Sequence, residues 1–298
     1  MVSASIFGGK VRYGIMFLYL FLLPHKTYSQ YQPQPCFSSS CGKISNITHP
    51  FRLKADPDHC GDSRYELDCV NNVTVLKLFG GEYFVESINY NNYTIRVVDP
   101  NIQPNNCSSL PRFILSPYNF THYHSYDVNY MYKVRLNSMN AADYENSDLS
   151  KPVIYMKCTS PPSKVVDRYY ADTASCVDQY TYVIVGDPPF GILEPQCRVK
   201  RITLTSFWGP TTTSRDPSTT SNNTIGNVSY IDIHKALDYG FEISWLQAYC
   251  SCGDLLDQCH LMEPAGEIQC DYTIGKTGSP LLQILNEKDY FEYYVELI

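Results

Sequence analysis

CFSSSCGKISNITHPFRLKADPDHCGDSRYELDC, from Cys36 to Cys69, packs four cysteines, two Cys-Gly pairs and the triplet Pro50-Phe51-Arg52 into 34 residues. That density reads as a cross-linked extracellular framework, not as an active-site loop. Working outward, the whole chain has twelve cysteines in 298 residues, an even set that an oxidising lumen converts into bridges.

The compartment is argued from the start of the chain. Lys10 and Arg12 precede an apolar run, Gly14 to Leu23 (GIMFLYLFLL), that stops at Pro24. Ten residues are too few for a hydrocarbon core that needs roughly 20, but they suit the apolar region of a signal peptide. Thr27 and Ser29 are the small residues before a cut at Gln30, so residues 1–29 are expected to be a signal peptide outside the fold. No other stretch is apolar for long enough to span a membrane, and the expectation is a secreted chain in the extracellular space or cell wall. A plasma-membrane location would need a downstream transmembrane segment. Asn46, Asn72, Asn92, Asn106, Asn119, Asn222 and Asn227 each begin an N-x-S/T triplet, the acceptor pattern of a glycoprotein surface.

Secondary structure reads as short strands. Tyr65 to Cys69, Val73 to Phe79, Glu82 to Tyr90 and Tyr93 to Asp99 are rich in Val, Ile, Tyr, Phe and Thr, and Asn71-Asn72, Gly80-Gly81 and Asn91-Asn92 punctuate them. Asn and Gly tolerate positive φ, so these pairs predict hairpin turns. After the Pro-rich break of residues 100–111, further strands are expected at Met131 to Leu136, Pro152 to Cys158, Tyr180 to Val185 and Cys197 to Thr205. Residues 209–224 (GPTTTSRDPSTTSNNT) have almost nothing to bury and predict a mobile loop. One short helix follows, with Ser229 as N-cap, Ile233 and Leu237 on one face and Gly240 as terminator. Phe241, Ile243 and Trp245 then alternate as a strand burying its aromatic side.

The cysteines divide into Cys36, Cys41, Cys60, Cys69 and Cys107; Cys158, Cys176 and Cys197; and Cys250, Cys252, Cys259 and Cys270. If all pair and the last four pair among themselves, two odd groups remain, so at least one bridge joins the first to the second. Further connectivity is open. The fold class is therefore mainly β, a disulfide-rich two-module extracellular fold with one short helix. Its modules are residues 30–110 and 111–272, followed by a tail, 273–298, of uncertain structure.

Chemistry is sparse. Gly275-Lys276-Thr277-Gly278-Ser279 lacks the first glycine of a phosphate loop, Cys270 standing in its place. Kinase, serine-hydrolase and zincin motifs are absent from the sequence. His122 and His124 could share a strand face, yet no third metal ligand sits nearby. The expectation is a binding protein, not an enzyme, with no metal site and no cofactor. A formal net charge of −7 also disfavours nucleic acid as a partner.

Taken as an ordered set, Cys36-x4-Cys41-Gly42, Pro50-Phe51-Arg52, Cys60-Gly61-Asp62-Ser63-Arg64-Tyr65-Glu66-Leu67-Asp68-Cys69, Val85-x2-Ile88-x-Tyr90, Tyr93 to Asp99 and Cys107 resemble the galacturonan-binding domain of plant wall-associated receptor kinases. Tyr239 to Trp245 and the cysteines after it resemble the C-terminal module of those receptors, most closely in the leaf-rust-resistance subgroup. The resemblance implies a receptor-like kinase ectodomain, or a truncated form of one, that binds pectin or oligogalacturonide in plant defence. Such receptors continue into a transmembrane helix and kinase, which residues 271–298 do not carry.

A polyanion calls for guanidinium and ammonium groups, with calcium as a possible bridge. The candidates within the motifs are Arg52, Arg64 and Arg96, with Lys54 beside them. Residues 30–107 hold six cations against eight acids, so any anion site there is local. The alternative is a receptor module for an extracellular protein or peptide, with no direct glycan binding.

Overall fold

The computed structural model of the protein describes residues 35–120, 132–136, 147–163, 170–186, 192–206, 228–249, 258–262 and 267–271. The signal segment, the loop 209–224, the tail, His122, His124, the 275–279 motif, Cys250, Cys252, Asn222 and Asn227 lie outside them. No helix among the described residues is long and apolar enough to cross a membrane.

The strands, in chain order, are β1 (Ser39–Cys41), β2 (Ile44–Ile47), β3 (Arg52–Leu53), β4 (Glu66–Val70), β5 (Val73–Leu78), β6 (Gly81–Asn89) and β7 (Thr94–Val98). There follow β8 (Arg135–Leu136), β9 (Ser147–Asp148), β10 (Lys151–Cys158), β11 (Ala171–Asp172), β12 (Thr181–Val185) and β13 (Cys197–Thr205). The helix α1 (Tyr230–Tyr239) leads into β14 (Phe241–Ser244), and β15 (Gln258–Met262) and β16 (Glu267–Asp271) form the last hairpin. The mainly β class is therefore the observed one, with one α-helix among the described residues.

Strands β4 to β7 are the antiparallel meander that the sequence predicts. Its first turn is Asn71-Asn72, with φ of 50° and 63°, the paired left-handed residues that match strand twist. The second turn differs from expectation by one residue. Phe79 and Gly80 take positive φ, 47° and 80°, while Gly81 already belongs to β6. Phe79 is held there because its ring packs edge-on against Phe120 at 5.1 Å. Gly81 is needed for space, since a Cβ would lie 2.8 Å from Tyr83 and 2.9 Å from Phe113. At the third turn the positive φ falls on Tyr93 and not on the asparagines; Asn89 Oδ1 instead accepts the amides of Asn91 and Asn92.

This sheet has six strands in the order β14-β7-β6-β5-β4-β3. Its last strand comes from far along the chain: β14 pairs antiparallel with β7, Phe241 opposite Val97 and Ser244 opposite Thr94. Gly240 makes this possible. Its φ is +90°, and a Cβ would sit 2.2 Å from the Val97 carbonyl oxygen, so only glycine lets the helix end approach β7. Phe241, Ile243 and Trp245 are buried as predicted, in one core with Phe51, Tyr65, Leu67, Tyr83 and Val85.

The second sheet has the order β11-β12-β10-β13. It is covered on both faces, by Tyr170 and Ile192 on one side and by α1 with Ile102 on the other. That explains why β12 is buried at every position and reads as an unbroken apolar run.

Four disulfides are placed: Cys36–Cys60, Cys41–Cys69, Cys107–Cys176 and Cys158–Cys197. Cys107–Cys176 is the link between the first and second cysteine groups that their odd counts require. In the last group, the backbone register sets Cys259 opposite Cys270.

Candidate recognition surface

The motif cations were the first candidates, and folding uses most of them. Arg52 starts β3, whose parallel pairing with β4 brings its side chain beside Glu66. The residue is only 7% exposed. Its guanidinium meets Glu66 at 2.6 Å and Asp58 at 3.1 Å, and donates to the Asp56 carbonyl oxygen at 3.1 Å. Asp56 in turn accepts from the Leu53 amide and the Ser39 hydroxyl, so the loop after β3 is folded around this arginine.

Arg64 makes a forked contact with Asp62, its Nε 3.0 Å from both carboxylate oxygens. The same carboxylate accepts the Arg64 amide and so caps the short 3-10 turn Ser63–Tyr65. The Arg64 hydrogen bond holds the Asp62 carboxyl below its ordinary range, and the reverse effect raises Arg64. Arg96 donates to the Tyr239 carbonyl oxygen at 2.7 Å and lies 4.4 Å from the centre of the Tyr239 ring. It therefore ties β7 to the C-terminal end of α1 through a cation–π contact and a charge-assisted hydrogen bond.

Lys43 pairs with Glu86, and Lys77 with Asp68. Lys54 is different: it is exposed, and among the described residues no carboxylate lies within ion-pair distance. The structure thus separates the predicted quartet into three guanidinium groups with internal partners and one free ammonium.

Two features were not assigned to a site from sequence. Trp245 is fully buried within a cage of Phe51, Tyr90, Tyr93 and Tyr249, with ring centres 5.2 to 5.8 Å away. Each such pair contributes about 0.5–1.5 kcal/mol beyond burial. The rim of the cage reaches solvent through Tyr249, which is 41% exposed and stacks at 5.9 Å on the exposed ring of His49. The second feature is a run of cations on β13, Arg198, Lys200 and Arg201, legible in sequence as alternating charge within a predicted strand.

Five of the seven sequons fall on described residues. Asn72 and Asn92 occupy the β4–β5 and β6–β7 turns, which lie at the same end of the meander, and Asn46 is exposed on β2. Asn106 is exposed too, whereas Asn119 is half-buried, its Oδ1 accepting from both the amide and the hydroxyl of Ser116. The cysteine pair Cys36–Cys60 lies beside His59, but a disulfide offers no thiolate to a metal.

These observations define a disulfide-stapled, mainly β domain that presents exposed aromatic rings and a few free cations among its described residues. Residues 36–99 match the family model described as wall-associated receptor kinase galacturonan-binding, so this stretch is similar to the extracellular domain that the family describes. No match was found among curated proteins or among solved structures.

Proposed function

We propose that this protein is a non-catalytic extracellular recognition module, of the receptor-like kinase ectodomain type, that binds pectic galacturonan in the plant cell wall. The observation that carries this reading is the match of residues 36–99 to the galacturonan-binding family. The cross-linked framework agrees with it, since Cys36–Cys60 and Cys41–Cys69 hold a small module in shape outside the cell. In this reading the signal peptide delivers the chain to the lumen and the sequons carry glycans.

Binding of this kind needs no bond-making step. Carboxylates of the polymer meet ammonium and guanidinium groups, and the apolar faces of its sugar rings lie against exposed aromatic rings such as Tyr249 and His49. Calcium can bridge polymer carboxylates to exposed acids such as Glu82.

The test is titration calorimetry of the glycosylated protein with size-fractionated oligogalacturonides, with and without calcium and over a range of salt. Saturable binding that weakens as salt rises supports the proposal. Absence of salt-sensitive binding in both calcium conditions sinks it.

A further inference from the structure

Resting on the galacturonan reading, we infer that the polymer's carboxylates are held outside the matched domain, along a basic strip formed by Arg198 and Lys200 of β13 and extended by Arg112, whose segment Arg201 anchors to the strand. The first ground is availability. Within residues 36–99 every cation except Lys54 is engaged by a carboxylate or by the Tyr239 ring and carbonyl. On β13, Arg198 and Lys200 are exposed, and no carboxylate among the described residues lies within ion-pair distance of either.

The second ground is alignment. Residues three apart on a regular strand point to opposite faces of a sheet. Here the pairing of β13 with β10 shifts: Arg198 lies opposite Lys157, while Arg201 lies opposite Tyr155. Lys157 and Tyr155 are two apart and share a face, so Arg198 and Arg201 share it as well. The extra residue at the shift is Lys200, which is exposed, and the β-bulge there is what brings Arg198 and Arg201 to one face.

The third ground is that the neighbouring acids are turned to partners of their own. Asp178, the acid nearest Lys157, is consumed by that lysine at 2.9 Å. Glu194 is turned to the Ser163 amide at 2.9 Å and to Gln196. Arg201 donates to the carbonyl oxygens of Pro111 and Arg112, which fixes the segment bearing Arg112 against the strand. Arg112 is itself exposed, its guanidinium 5.4 Å from the Phe113 ring centre. The result is a local cluster of available cations on a chain of formal net charge −7, complementary to a linear polyuronide and not to its methyl ester.

The experiment compares the full glycosylated chain with the double variant R198Q/K200Q and with K54Q, titrating each with a size-fractionated oligogalacturonide and its fully methyl-esterified form. Arg201 is left in place because it holds backbone carbonyls. The glutamine variants replace exposed side chains without partners among the described residues, so their thermal unfolding midpoints should equal the parent's. The strip predicts that R198Q/K200Q binds the acid form about tenfold more weakly, with a flatter salt dependence, while the swap R198K/K200R restores binding. It predicts no comparable loss in K54Q and no binding of the ester. Parent-like binding by R198Q/K200Q, or equal binding of the ester, overturns the strip and leaves galacturonan recognition standing. No binding by the parent overturns both.

Discussion

Replacing Arg52 with methionine separates a folding role from a binding one. Methionine keeps the apolar stem, which matters because the residue is 7% exposed and the backbone of Gly61 passes close enough that an added Cβ would lie 2.8 Å from the Arg52 Cβ. What is lost is the guanidinium. Its contact with Asp58 contributes little, since that side chain is 97% exposed and solvent screens the pair. The contact with Glu66 at 2.6 Å and the donation to the Asp56 carbonyl oxygen at 3.1 Å are sheltered. Charge-assisted bonds of this kind contribute roughly 1.5–3 kcal/mol each. Two terms reduce their sum: Glu66 keeps access to water, its side chain being 30% exposed, and methionine removes a buried Arg52 Nε that has no partner among the described residues. The net expectation is a loss of about 2–3 kcal/mol. Urea unfolding under non-reducing conditions should show the midpoint falling by about 1 M with the slope unchanged. A cycle with E66Q should return a coupling of about 1 kcal/mol or more. A midpoint within about 0.2 M of the parent, together with weakened oligogalacturonide binding, would refute the reasoning and make Arg52 a ligand residue.

Three further outcomes can be checked on the same protein. Replacing Cys107 and Cys176 by serine opens a bridge spanning 69 residues, and chain entropy gives a loss of about 4 kcal/mol, measurable by denaturant unfolding beside the parent. Gly240→Ala forces a Cβ to 2.2 Å from the Val97 carbonyl oxygen at a φ of +90°; the expected loss is about 2 kcal/mol or more, with hydrogen exchange rising in β7 and β14. His234 is 2% exposed and shares a 2.9 Å hydrogen bond with the Ser109 hydroxyl, and burial lowers its affinity for a proton below the ordinary value of 6.5. A depressed pKa on a base means that its contribution to stability is present above pH 6.5 and is lost as pH falls through the folded-state value. The groups facing it are Ser109, the Tyr230 ring and Asp238. Unfolding midpoints of the parent should therefore decline with acidification more steeply than those of H234Q.

The meander was legible because local chemistry specifies it. Asn71-Asn72 supplies the left-handed turn directly, and the β-branched runs around it need only pair with their sequence neighbours. Helix α1 was legible for the same reason, through Ser229 at one end and Gly240 at the other. Strand β3 was not, since two residues carry no periodicity and its place depends on the Arg52 network and on Cys36–Cys60. The pairing of β14 with β7 joins residues more than a hundred positions apart, with no local signal beyond the alternation of Phe241, Ile243 and Trp245. The site was harder to read than the fold. Sequence identifies an arginine but not the group it will meet: the Glu66 partner of Arg52 and the Tyr239 partner of Arg96 are set by the tertiary fold, and so is the lack of a carboxylate beside Lys54 among the described residues. The common face of Arg198 and Arg201 depends on a bulge whose position is set by register with β10, and in sequence their spacing argues for opposite faces.

If the strip on β13 holds the polymer, stability and recognition draw on different charges in this chain, and that division has a physical basis. A guanidinium that closes a loop must be desolvated and surrounded by acids, as Arg52 is. A guanidinium that captures a mobile polyanion must be exposed and free of carboxylate partners, the condition that Arg198 meets among the described residues. The two demands conflict, because acids that fix a cation in the fold repel the carboxylates of a polyuronide. Paired measurements therefore discriminate sharply: R52M should lower the urea midpoint while leaving oligogalacturonide affinity within about threefold, and R198Q/K200Q should weaken affinity about tenfold while leaving the midpoint unchanged. Loss of both properties in either variant would mean that folding and binding share their cations after all.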